Sequence, residues 1–145
     1  MKYLWWIILA SGLIWLRSSV SKFSSGNFVE NLGGTLTKFA SKNPYPFYKN
    51  FLENVAVLNS QIFGLLTLWG EFLIAISLVG GAIILLINPG KLKTVKVPLM
   101  VGLLGGAFLN LIFWLASGWT SPSTDSLNLL MLVVQVIAFI ALKNA

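Results

Sequence analysis

Apolar residues run through this chain in four long blocks. Tyr3 to about Phe23, Ile62 to Ile87, Val97 to Ser117 and Ser126 to Leu142 are each long enough for a bilayer-spanning helix. A hydrocarbon core of roughly 30 Å takes about 20 residues at ~1.5 Å per residue. Between the first two blocks, residues 24–59 turn to Gly, Ser, Asn, Lys and Pro, and no stretch there is apolar for long enough to cross. Helical spacing persists in that segment: Phe28, Leu32, Leu36 and Phe39 recur three and four residues apart, as do Phe47, Phe51, Val55 and Leu58. Asn43-Pro44-Tyr45-Pro46 separates the two patterns as a turn, because proline restricts the residue before it and ends a helix. The spacing predicts two short amphipathic helices, lying on the membrane face or folded over the mouth of a bundle. Phe28, Leu32, Leu36, Phe47, Phe51 and Val55 should face membrane or bundle. Such a segment serves as an interfacial anchor or as a lid.

The expected fold is therefore an all-α integral membrane protein: a four-transmembrane-helix bundle with a short amphipathic helical external segment between helices 1 and 2. It forms one membrane domain over residues 1–145, with spans at 3–23, 62–87, 97–117 and 126–142. Ser19-Val20-Ser21 loosely imitates a signal-peptide cleavage site, but a signal core rarely carries an arginine followed by Lys22, so the first block reads as a span. Lys91, Lys93 and Lys96 crowd the short loop after Asn88-Pro89-Gly90, while the loop from Gly118 to Thr124 has no lysine. By the positive-inside rule both termini are then cytoplasmic, in a prokaryotic cytoplasmic membrane. Trp5 and Trp6 fall at the inner interface. Thr124 or Asp125 is placed to cap the fourth span, and Gly102 and Gly106 allow close helix packing in the third.

Composition supports the membrane reading. Hydrophobic residues make up 57% and charged residues 10% of the chain, where an average soluble domain has about a quarter charged. The net charge of +6 is scattered over loops and chain ends, so it does not make a nucleic-acid surface. No cysteine or histidine is present, which removes thiol redox chemistry, zinc sites and the usual haem ligands. Any redox role needs a diffusible carrier or a partner subunit.

The chemistry-bearing residues are the polar ones inside the spans. A lone charge near a membrane helix centre costs about 2.5 to 3.5 kcal/mol on insertion scales, so Glu71 in Leu68-Trp69-Gly70-Glu71-Phe72 calls for a partner or a task. Arg17, in the first span, has the opposite sign, and an Arg17–Glu71 pair is expected. Counted at ~1.5 Å per residue from the outer ends, Arg17 lies about 9 Å deep, Asn110 about 10 Å, Gln135 about 13 Å and Glu71 about 15 Å. One polar layer then follows. It either fixes helix register or forms a pocket walled by Trp15, Trp69, Trp114 and Phe113 that holds a flat amphipathic ligand such as a quinone headgroup. In the pocket reading Glu71 accepts a proton, and Arg17 orients it or stabilises a developing oxyanion. Trp69, Asn110, Trp114 and Gln135 would contact the ligand.

The order of these features resembles the DoxX/DoxD-like membrane proteins, named for the membrane subunit of thiosulfate:quinone oxidoreductase. The matching positions are Arg17 followed by Lys22-Phe23; Asn43-Pro44 with Tyr48-Lys49-Asn50-Phe51-Leu52; Gly70-Glu71-Phe72-Leu73-Ile74-Ala75-Ile76-Ser77-Leu78-Val79-Gly80; and Asn110 with Ala116-Ser117-Gly118. The resemblance implies a four-helix subunit, in some members linked to quinone-dependent oxidation of sulfur compounds, and it adds Lys22 to the candidate ligand-binding residues. The family often continues past its fourth helix with a glycine-arginine stretch, whereas this chain has Lys143-Asn144-Ala145 there.

Two functions compete. One is the quinone-handling part of a multi-subunit oxidoreductase, inactive alone. The other is a non-enzymatic accessory or assembly subunit of a larger complex, in which the polar layer is structural. Small-solute transport ranks below both, since no inverted repeat or broken helix is apparent. The expected partners are the lipid bilayer, other subunits or further copies of the chain, and a quinone or lipid ligand, with no nucleic acid.

Overall fold

Helix boundaries follow from local signals. The first helix, α1 (Lys2–Ser25), stops at Gly26, whose φ of 69° is a left-handed conformation that glycine adopts without steric penalty. Then come α2 (Phe28–Ser41) and, after the Asn43–Tyr45 turn, α3 (Pro46–Phe51), which one π turn extends over Leu52–Ala56. α4 (Ser60–Ile87) ends at Asn88, whose side chain accepts from Gly90 N at 3.1 Å and shapes the turn into α5 (Leu92–Ser117). α6 (Pro122–Lys143) has proline at its first position and Ser121 as its cap, with Oγ accepting from Thr124 N at 3.2 Å. Ser121 therefore caps the helix, rather than Thr124 or Asp125. The structure, a computed structural model, describes Met1–Ala145 and contains helices and turns only. Four helices, α1, α4, α5 and α6, are long and apolar enough to cross a membrane.

These four pack as a ring: α1 on α4, α4 on α5, α5 on α6, with a narrower seam from α6 back to α1. Leu78, Leu85, Leu99, Leu103 and Leu142 are fully buried at its centre, with Ile8. Glycine sets the closest approaches. A Cβ on Gly12 would lie 2.9 Å from Val79 N, so α1 and α4 touch backbone to backbone there. Gly102 and Gly106 of α5 serve different neighbours: the first faces Ser77 and Leu78 of α4, and the second makes room for the Gln135 amide of α6.

The segment between α1 and α4 folds over one end of the ring as a cap. α2 lies across α4, where Gly64 lets Val29 approach, and Ala40, Leu52 and Ala56 form a small core of their own with Leu36, Phe39 and Phe63 around it. Polar side chains pin the cap to the end of α5. Asn43 Nδ2 donates to Leu115 O at 3.0 Å and Ala116 O at 3.4 Å, its Oδ1 accepts from Tyr45 N at 3.0 Å, and Tyr48 Oη donates to Ile112 O at 3.0 Å. The Asn43 amide satisfies carbonyls that the helix end leaves without partners, whereas Tyr48 adds a second donor to a carbonyl inside the last turns.

The two-helix reading of this segment holds, and the apolar positions expected to face membrane or bundle divide between the helices: Phe28, Leu32 and Leu36 are partly buried, while the second helix turns a different stripe inward. Tyr48, Leu52 and Ala56 face inward, whereas Phe47, Val55 and Leu58 are exposed. An apolar stripe marks a buried face only where the alternative is water. Beside helices that are apolar all round, the smaller and polar stripe takes the interior instead.

Candidate functional site

A cavity of about 560 Å³ lies under the cap, between α2, the α3 extension, α4 and α5. Its walls are mostly aromatic and aliphatic, with Phe28, Phe39, Phe63, Phe108 and Phe113 among them. Volume and lining match the usual small-molecule site, roughly 300–1,000 Å³ and largely apolar with few polar groups. Its charged groups come from α1 and α4, Lys22 and Glu71, and its hydroxyls from Thr67, one turn from Glu71, with Thr35, Tyr48 and Ser117.

Lys22, not Arg17, is the partner of Glu71. Lys22 Nζ lies 2.8 Å from Glu71 Oε2 and 3.0 Å from Oε1, and it also donates to Ser18 Oγ at 2.8 Å. Ser18 Oγ in turn donates to Glu71 Oε2 at 2.8 Å. Glu71 is 1% exposed, and the Lys22 side chain is 22% exposed toward the cavity, with the Phe28 ring centroid 5.3 Å from the ammonium. The Phe28 face thus adds a cation–π contact to a charge-assisted cluster. Ser18 was not singled out from sequence. Its signal was present: Trp15, Ser18, Ser19 and Lys22 share one face at three- and four-residue spacing.

Arg17 projects from the opposite side of α1, is exposed, and forms no ion pair. The expected Arg17–Glu71 pair is therefore replaced. At about 100° per residue Arg17 stands some 200° from Trp15 and Ser19, which are buried. No side-chain rotation brings it across.

The expected single polar layer divides in two. Asn110 and Gln135 are buried together, with Asn110 Nδ2 donating to Gln135 Oε1 at 2.9 Å between α5 and α6, and neither borders the cavity. Gln135 Nε2 and Trp15 Nε1 are buried without partners. Trp114 turns away to donate from Nε1 to Asp125 Oδ1 at 2.6 Å and to lie against Tyr45. Trp69 is 51% exposed on the outer surface, edge-on to Phe23 and Phe72. Of the predicted site residues, the structure brings Glu71 and Lys22 together at the cavity, with Phe113 in its wall. Arg17, Trp69, Asn110, Trp114 and Gln135 lie elsewhere. Tyr48, unassigned before, borders the cavity and ties the cap to α5, and burial pushes its phenol up to about 12.

Comparison with family models, with curated proteins and with solved structures gave no match for this chain.

Proposed function

We propose that the chain is a membrane subunit of the DoxX/DoxD-like kind that handles a quinone for a multi-subunit oxidoreductase. The observation that carries this reading is the pairing of a largely apolar, ring-walled cavity with one ammonium and one carboxylate at its edge. A flat ring would be buried against Phe39, Phe63 and Phe113, and apolar burial would supply most of the affinity, at about 25 cal/mol per Å². Lys22 Nζ would donate to a ring oxygen, and Glu71 would hold or release a proton at Oε1, the oxygen that Ser18 leaves unbonded. A quinone supplies two-electron, two-proton chemistry when bound. Its electrons come from a partner subunit, because this chain has no cysteine or histidine to hold a redox centre.

The ends of the bundle support the matching topology. Lys96 Nζ donates to Lys143 O at 3.1 Å, so the start of α5 and the end of α6 meet away from the cap, together with Lys91 and Lys93. We place that end in the cytoplasm and the cap outside, in a prokaryotic cytoplasmic membrane. One observation favours the accessory-subunit reading: both Glu71 oxygens are already hydrogen-bonded within the protein, as a register-fixing pair requires.

Binding separates the two. Trp15 lies 6.3 Å from Phe113, which walls the cavity, so a benzoquinone analogue should quench tryptophan emission saturably in detergent, and Glu71→Ala should weaken the effect about tenfold. Quenching linear in ligand and indifferent to the substitution would leave the accessory reading standing.

A further inference from the structure

The cavity does not end at the ion pair. On α4 its lining steps from Phe63 through Thr67 to Glu71, and a second hollow of about 530 Å³ continues from Gly70 through Ile74 to Ser77. On antiparallel α5 the lining runs from Ala116 and Ile112 to Phe108 and Leu109, which border both hollows, and on to Gly105 and Pro98. Each helix presents one stripe at three- and four-residue intervals, which is a single face. The two hollows therefore adjoin at Phe108 and Leu109 and follow one furrow along the α4–α5 seam. From Phe63 to Ser77 it rises about 21 Å at ~1.5 Å per residue, well over half of a roughly 30 Å hydrocarbon core.

The lower section is apolar and its floor is bare for a reason that packing does not supply. A Cβ on Gly70 would meet only Leu109 at 3.7 Å, and one on Gly105 only Ile74 at 3.5 Å, both ordinary contacts. Gly102 differs, since its Cβ would press on Ser77 Oγ at 2.9 Å. Glycine costs about 1 kcal/mol against alanine inside a helix. Helix approach explains Gly102, while Gly70 and Gly105 only keep the furrow open. Its one hydroxyl, Ser77, is engaged with Pro98 O at 2.6 Å, so what remains to be covered is hydrocarbon surface.

We propose that the lower furrow holds the single isoprenoid-type tail of the ligand whose head lies at Lys22 and Glu71. This rests on the quinone reading above and adds a tail site and an entry route. Continuity decides the occupant: a chain leaving the cavity past Phe108 and Leu109 has the furrow directly before it. Phe108, 61% exposed, forms the sill over which the ligand enters sideways from lipid.

Two photoaffinity probes test this on the whole protein in phosphatidylcholine nanodiscs. Both are benzoquinones with a tail of about twenty carbons; one carries a diazirine beside the ring, the other at the far end of the tail. The ring probe should label the cavity near Phe63 and Phe113, and the tail probe should label Val101 and its neighbours on α4 and α5. Gly105→Leu fills the furrow without disturbing a backbone contact, so it should cut tail labelling about tenfold while a tailless benzoquinone binds within about twofold of wild type. If the ring probe fails to label the cavity, the quinone reading itself falls. Ring labelling with tail label spread evenly over the bundle would overturn the furrow alone. Tail labelling that added phosphatidylglycerol displaces but a long-tailed quinone does not would make it an acyl-chain groove, and would also overturn the proposal.

Discussion

Five positions separate Arg17 from Lys22, and the helical repeat turns that offset into opposite faces of α1. Lys22 stands seven residues after Trp15, within about 20° of it, and so reaches Glu71, while Arg17 faces outward. Sequence reading identified the carboxylate and its need of a cation but chose the deeper charge over the one on the buried face. Ser11, Gly12, Trp15 and Ser19 had marked that face through small and polar residues. Removing one partner of a buried pair costs about 3–5 kcal/mol. Lys22→Met should therefore lower the thermal midpoint in mild detergent by many degrees, and Lys22→Met with Glu71→Leu should recover much of that loss. Arg17→Gln should leave the midpoint nearly unchanged, and a loss equal to that of Lys22→Met would restore the Arg17 pairing. Tyr48 gives a pH signature at the same scale. Its folded pKa of about 12 lies above the ordinary phenol value of about 10, so the stability of the clamp on Ile112 O is fully present below pH ~10 and lost as pH rises through ~12. Ultraviolet titration should show one phenol ionising last, and Tyr48→Phe should remove that phase; its persistence would assign it to another tyrosine.

Among the elements, those carrying the longest apolar runs were the most legible. The four long helices match the expected blocks to within a few residues, because Gly26, Asn88-Pro89 and Ser121-Pro122 leave little freedom where they end. Which face each helix turns inward was harder to read, since hydrophobicity does not discriminate when most of the surface is apolar. Glycine spacing carries that information. Gly12 and Gly80 are both interior helix glycines, yet a Cβ meets Val79 N at 2.9 Å at the first and nothing within 4 Å at the second. Gly12→Val should thus separate α1 from α4 and destabilise strongly, while Gly80→Ala should be neutral or stabilising by up to about 1 kcal/mol. Similar losses at both sites in a thermal-shift assay would contradict this packing. Asn43-Pro44 marks a turn in the sequence, whereas the Asn43 bonds to the end of α5 exist only in the tertiary fold. Asn43→Ala should raise amide hydrogen exchange in α2 and α3 but not in α6.

The whole molecule combines a ring of four helices with a cap that shelters an apolar cavity and exposes one ion pair to it. Sequence reading reached the ring, the cap and Glu71, but it gathered four polar residues into one layer because depth along a helix says nothing about rotation around it. The structure buries Asn110 and Gln135 as a separate hydrogen-bonded pair and sets only Lys22 and Glu71 of those predicted polar residues beside the cavity. We propose that this cavity holds a quinone, and native mass spectrometry of the protein taken from its own membrane would detect it. One quinone should be retained per chain, kept by Arg17→Gln and largely lost in Glu71→Ala. No quinone on the wild-type protein, or equal retention in both variants, would contradict it.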